Sequence, residues 1–517
     1  MSSRASHLPA GEVFDPTAGG ARNLTEAWMR AARRAPDVPQ IHDSRQGWLE
    51  RGALEAGSAE RAGRLARLGL RRGDRVLVCA ESSVELVQAY VACLRLGLVV
   101  VPTNTAYGAR ELAHVLQDAE PRAALVDDPA RAAVFAELAP SLHRLSPALD
   151  LPGGPTPALE TASPEDPALL CYTSGTTGAP KGAVLRHRHC LASAEALRLA
   201  WRWRESDRLL LSLPLFHMHG LGVGLHGTLH CGASVVLYTA FRPDDILADV
   251  ETHAATLFFG VPTLYHRLAA HPDVERLARL RLCVSGSAAL PASLHTEIAR
   301  LTGQRVLERY GMTETLMLVS NPVDGERRPG SVGLPLPGVE VRLAGDRREV
   351  EVRGPNVFDG YWQRPTANAE AFSDDGFFRT GDLGRFDDDG YLILDGRAKE
   401  LIISGGYNVY PREVEDVLRT HPAIEDAAVV GEPSAEWGER VVAYVVRREA
   451  VGREMLGRGI AAGESLSLEA VRGWVGNRLA AFKHPRALYP VDALPRNALG
   501  KVQKHRLANG RIRPEAE

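Results

Sequence analysis

The sequence predicts an α/β protein. A large N-terminal domain has parallel-rich sheets with covering helices and a small antiparallel β-region; a smaller α+β C-terminal domain follows. Three observations predict it. Short apolar strands alternate with helix-like segments from Asn23 to about Arg397. After Gly330 the strands shorten and turn signals multiply. The 517 residues exceed one ordinary hydrophobic core.

Arg75-Val76-Leu77-Val78-Cys79 follows Gly73-Asp74 and reads as a buried strand. Ser83 to Leu96 carries apolar residues at helical spacing, and Gly97 is placed to end that helix. Val99–Val101, Ala109–Leu116 and Ala123–Val126 continue as strand, helix and strand, the rhythm of βαβ units. Further strands are expected at Leu209–Leu213, Ser234–Leu237, Thr256–Phe259 and Arg281–Val284. The Pro- and Gly-rich stretch 151–167 reads as a surface loop. Later, Gly354-Pro355, Asp375-Gly376 and Asp389-Gly390 punctuate short strands that end at Asp395-Gly396-Arg397. The smaller unit takes a helix over Arg412–Thr420, strands near Ala427–Val430 and Val441–Val446, and a helix near Leu468–Leu479. The Gly-rich, charged segment 451–465 reads as a loop.

Composition narrows the function classes. A net charge of -3 gives no electrostatic reason for a nucleic-acid or anionic-membrane partner. The apolar runs are too short to span a bilayer. The N-terminal stretch has no apolar h-region, so no signal peptide is expected. Cys79, Cys93, Cys171, Cys190, Cys231 and Cys283 form no CxxC pair, which fits reduced thiols in a cytoplasmic protein better than disulfides or a zinc site.

The most informative stretch runs from Tyr172 to Gly182. Thr173, Ser174, Gly175, Thr176, Thr177, Gly178 and Lys181 combine backbone that can approach an anion, hydroxyl donors and a positive charge. The spacing is not that of a Walker A loop. Alone, such a stretch also suits a polar hairpin turn. Its full pattern resembles the phosphate-binding signature of the acyl-adenylate-forming superfamily, which contains acyl-CoA synthetases, peptide-synthetase adenylation domains and luciferases.

Further segments resemble that superfamily in its order. The stretch containing Ser285, Gly286, Ser287, Ala288 and Ala289 resembles the loop lining the adenine pocket. Glu308, Arg309, Tyr310, Gly311, Met312, Thr313 and Glu314 resemble its aromatic-Gly-x-Thr-Glu region. The resemblance implies that Tyr310 stacks on adenine, Thr313 reaches the α-phosphate, and Glu314 holds Mg²⁺, a cation that prefers hard oxygen ligands. It implies that Asp382 binds ribose, that Arg397 contacts ribose or phosphate, and that Lys399 is the hinge. The hinge divides residues 1–398 from a mobile domain of residues 399–517. Gly405, Gly406 and Tyr407 resemble the loop that closes for thioester formation with coenzyme A. Lys501, in Pro495-Arg496-Asn497-Ala498-Leu499-Gly500-Lys501, resembles the lysine that bridges the substrate carboxylate and the α-phosphate.

Pro214 to Leu221, with His217 and His219, and Phe259 to Thr263, with Gly260, match acyl-pocket segments, and Ser285 joins them. The His-x-His pair also suits a metal, although no third ligand stands at motif spacing. Within the superfamily, stretches from residue 213 onward are most similar to malonyl-CoA synthetases. Those enzymes place an arginine where Arg242 stands, suited to a second carboxylate; a surface arginine at a strand end is the other reading. The resemblance implies ATP, Mg²⁺, coenzyme A and a short dicarboxylic acid as small-molecule partners. Two alternatives stay open: an acyl carrier protein as acceptor, and a short- or medium-chain or aryl acid as substrate. The hairpin from Arg342 to Glu349 is shorter than the family's.

Overall fold

Val76, Leu77 and Val78 are shielded from solvent, as a strand covered on both faces requires. They lie at the centre of a six-stranded sheet. Its order is His143–Leu145, Ala123–Val126, Arg75–Cys79, Val99–Pro102, Pro167–Thr173 and Lys181–Arg186. All pairs are parallel except the last, an antiparallel hairpin. Ser83 caps the helix Val84–Arg95 by accepting a hydrogen bond from the Leu86 amide. Gly97 follows it at φ 77°, a conformation that favours glycine.

The computed structural model describes residues 7–155, 157–173, 180–404, 407–434, 437–448, 466–476, 478–497 and 500–508. Two units emerge. One comprises Met1–Val341, Val352–Arg379 and Asp388–Leu392; the other comprises Arg342–Glu351, Thr380–Asp387 and Ile393–Glu517.

A second, nine-stranded sheet in the first unit carries six consecutive parallel strands: Pro39–Asp43, Ser234–Leu237, Arg208–Leu211, Leu257–Gly260, Leu282–Ser285 and Leu307–Tyr310. Short antiparallel strands finish both edges. Phe258, Leu210, Tyr265 and Ile298 form part of its buried core; each such side chain contributes roughly 1.5–3 kcal/mol. The expected strand Leu209–Leu213 ends at Leu211, ahead of Pro214, which has no N–H to offer a ladder. Next comes a π-helical segment, His219–Leu225, a wide turn that often marks functional positions. Gly220 is packed so closely under Pro214 that a Cβ would overlap its carbonyl.

In the second unit the strands extend beyond the sequence reading, to Ile424–Ser434 and Gly438–Arg447, and pair antiparallel. The helix Pro411–Arg419 covers them through Val414 and Leu418. The shortened hairpin forms strands Glu340–Ala344 and Glu349–Arg353 within a four-stranded sheet. Segment 451–465 lies outside the described residues. Among the described residues, no helix is long and apolar enough to cross a membrane.

Candidate active site

Ligands of parallel α/β sheets bind beyond the carboxyl ends of the strands, and the acyl-segment residues cluster there. Gly260 and Ser285 end adjacent strands and stand opposite each other in register, and Ser285 pairs with Glu308 of the next strand. His219 follows the neighbouring strand. Its Nδ1 lies 3.2 Å from the Ser287 hydroxyl, its ring stacks on Phe259, and its amide donates to His217 Nδ1 at 3.1 Å. Ser287 holds φ at 67°, uncommon for a residue other than glycine and a mark of functional turns. Ala288 is half-buried in the same loop.

Arg309 is the cation of this cluster. It is only 6% exposed, and its Nε and Nη2 have no hydrogen-bond partner among the described residues. Burial pulls its pKa down to about 9. The guanidinium lies over Gly286, where a Cβ would overlap it. Burial, then the positive charge of Arg309, lowers His217 to about 4 and His219 well below its ordinary value. The histidines are therefore neutral at pH 7, and the pocket carries one buried positive charge. Ser285 Oγ and His219 Nε2 are also buried without a partner among the described residues. A buried unpaired charge and orphaned donors of this kind suit an anion with several oxygen acceptors.

On the nucleotide side, Tyr310 ends its strand buried. Gly311 has no room for a Cβ against the Leu316 carbonyl, so the turn carrying Met312, Thr313 and Glu314 demands glycine. Met312 and Thr313 are half-buried, and the Glu314 side chain is 5% exposed. Glu308 accepts the Leu290 amide through Oε1 at 2.9 Å and so fastens the adenine-loop segment. Thr173 and Lys181 face each other as the pair of the two strands nearest in sequence. Ser174, Gly175, Thr176, Thr177 and Gly178 lie outside the described residues.

The sequence reading missed Tyr361. Its hydroxyl donates to Glu314 Oε1 at 2.9 Å, and its ring faces the Lys181 ammonium at 5.1 Å from the centroid. Only the aromatic pair after Gly360 hints at it in the sequence. Arg242 differs from expectation: it is exposed at the N-cap of the helix Pro243–Thr252. No hydrogen bond or ion pair joins it to the other site residues among the described residues. Pro243 starts that helix, where its missing N–H costs no hydrogen bond.

Within the second unit, Asp382 is buried and pairs with Arg397 at 2.7 Å; Arg397 also donates to the Thr380 carbonyl. Lys399 is exposed in the short turn Ala398–Glu400. Tyr407 is exposed and stacks on Phe482 at 4.7 Å. Gly405 and Gly406 lie outside the described residues. Lys501 is fastened to Asn497: its amide donates to Asn497 Oδ1 at 2.9 Å, and its carbonyl accepts the Asn497 amide. Surrounding protein, then the charge of Arg397, lowers the Lys501 pKa although the side chain still reaches solvent. Lys504 ties Glu400 at 3.2 Å to Glu415 at 2.7 Å.

Among the described residues, no group of three or more His, Cys, Asp or Glu side chains is arranged to hold a metal alone. His217 and His219 have no third such ligand grouped with them among the described residues. A single buried carboxylate such as Glu314 fits Mg²⁺, which takes one or two carboxylates and completes its shell with phosphate oxygens and water.

Residues 28–362 match the AMP-binding enzyme family, and residues 413–501 match the AMP-binding enzyme C-terminal domain. A malonate–CoA ligase of Arabidopsis thaliana is 34% identical over 85% of this chain and 78% of its own. A feruloyl-CoA synthase of an Amycolatopsis species is 35% identical over 92% of this chain and 96% of its own. The crystal structure of ATP-bound MatB from Rhodopseudomonas palustris superposes with a TM-score of 0.84 at 39% identity, covering 94% of this chain and 99% of that one. By sequence and fold, the chain belongs to the AMP-binding enzyme family, in its acyl-CoA synthetase branch of AMP-forming acid–thiol ligases.

Proposed function

We propose that this enzyme joins malonate to coenzyme A at the expense of ATP, giving malonyl-CoA, AMP and diphosphate through malonyl-AMP, and that it also takes methylmalonate. Arg309 is the observation that supports the acid assignment best. A guanidinium 6% exposed with two unpartnered nitrogens suits a second carboxylate, which accepts two parallel hydrogen bonds. A monocarboxylic acid would leave that charge buried and unpaired, at a cost of about 2–5 kcal/mol. The similarity to a malonate–CoA ligase supports the same reading. Arg242, exposed here, serves as a second, outer cation for the acid.

The reacting carboxylate attacks the α-phosphorus and expels diphosphate. In-line positioning and charge stabilisation dominate such a step. Lys181, Thr173 and the backbone of residues 174–178 hold the phosphates; Thr313 and Lys501 meet the α-phosphate. Tyr310, Ser287, Ala288, Gly311 and Met312 enclose adenine, and Asp382 with Arg397 holds the ribose. Mg²⁺, held by Glu314, would offset phosphate charge. His217, His219, Gly260 and Ser285 line the acid's pocket as neutral groups. For the second step the residues from 399 onward turn about Lys399 and bring Gly405, Gly406 and Tyr407 to the coenzyme A thiol, which displaces AMP from the acyl carbonyl.

An acid panel followed by diphosphate release, with and without coenzyme A, tests this reading. Malonate and methylmalonate are expected to exceed acetate, butyrate and ferulate. A monocarboxylate at the head of the panel would refute it.

A further inference from the structure

Lys181 and Glu314 carry opposite charges, yet no salt bridge joins them among the described residues. Were they to pair, each would neutralise the other. Tyr361 stands at both: its ring meets the ammonium at 5.1 Å and its hydroxyl meets the carboxylate at 2.9 Å. An ammonium over an aromatic face is attracted by the ring quadrupole, and a phenol O–H is a strong donor to a carboxylate.

The backbone fixes Tyr361 there. Its amide donates to Asn368 Oδ1 at 2.6 Å, and its carbonyl accepts from Asn368 Nδ2 at 3.1 Å. Tyr361 bridges Ala183; the Val184 amide donates to Gly360, and the Trp362 amide to Gly182, on the strand that starts at Lys181. Phe358 donates its amide to the Glu314 carbonyl and packs edge-on against the Tyr361 ring. Asn356 Nδ2 donates to the carbonyls of Thr315 and Met317. Segment 356–362 therefore stitches the Glu314 turn to the Lys181 strand.

We propose that Tyr361 is a positioning residue for adenylation: its ring steadies Lys181 for the phosphates, while its hydroxyl aims the Glu314 carboxylate at the metal and keeps the two charges apart. This rests on the roles assigned to Lys181 and Glu314 above. The phenol contributes no proton and no bond to the reaction.

The test measures ATP affinity by calorimetry without acid, so that nothing turns over, and reads the gain on adding Mg²⁺. The unaltered protein is compared with Tyr361→Phe, Tyr361→Leu and Glu314→Gln, with thermal unfolding alongside. Tyr361→Phe keeps the ring but not the hydroxyl. It is expected to lose about tenfold of the Mg²⁺-dependent gain, the scale of one hydrogen bond to a charged group. Its Mg²⁺-free affinity should stay within about twofold, because the ring remains over Lys181. Tyr361→Leu should weaken both. The inference is overturned if Tyr361→Phe keeps the full gain while Glu314→Gln loses it, or if Phe and Leu act alike and fall only with the melting temperature. If Glu314→Gln itself keeps the full gain, the metal role of Glu314 fails, and this inference falls with it.

Discussion

The Arg309 guanidinium rests over the backbone of Gly286, in the space that the Cβ of any other residue would occupy. The two residues lie on neighbouring parallel strands or just beyond them. Because the overlapping atoms belong to the far end of a flexible side chain, Gly286→Ala should displace the guanidinium without unfolding the chain. Malonate KM is expected to rise about tenfold or more, the loss of roughly one charge-assisted hydrogen bond, while ATP KM and the melting temperature change little. An unchanged malonate KM would separate Arg309 from the acid.

Replacing Arg309 by leucine should leave thermal stability equal or higher. An unpaired buried charge is removed, and apolar replacements at buried charges are often neutral or stabilising. A large fall in melting temperature would mean that the guanidinium is satisfied within the fold.

Lys501→Ala should abolish adenylation, read as malonate-dependent ATP–diphosphate exchange. Thioester formation from supplied malonyl-AMP and coenzyme A should be spared. Equal loss of both half-reactions would contradict the role given to Lys501.

Buried neutral histidines make acid destabilising. His187 and His226 are fully buried, and burial lowers them from 6.5 to about 4 and about 3. Between those values and 6.5 the unfolded chain binds more protons than the folded one. Stability is therefore complete above pH 6.5 and falls as pH drops toward the folded values, by up to about 1.4 kcal/mol per pH unit for each histidine. Urea midpoints at pH 7, 6 and 5 should decline steadily. A flat profile would place both histidines in ordinary titration.

Elements whose cause is local were legible in the sequence. Val76–Cys79 is a continuous apolar run that the fold buries on both faces of the strand, and Ser83 caps the next helix through a bond three residues away. Features made by long-range contacts were not. The buried setting of Arg309 depends on Gly286, 23 positions earlier, and on histidines from a third strand's loop, contacts that no local pattern announces. The exposure of Arg242 at the start of the helix Pro243–Thr252 likewise has no signature in its local sequence. Tyr361 meets Glu314 across 47 positions, a spacing with no local signature.

The most direct measurement is the ratio of kcat/KM for malonate to that for acetate, in the unaltered protein, Arg309→Leu and Arg242→Ala. The account predicts a ratio strongly favouring malonate. It should collapse about 30-fold or more in Arg309→Leu, from the 2–5 kcal/mol of a broken buried charge pair, and fall less in Arg242→Ala. A ratio that survives loss of Arg309, or one that favours acetate from the start, would contradict it.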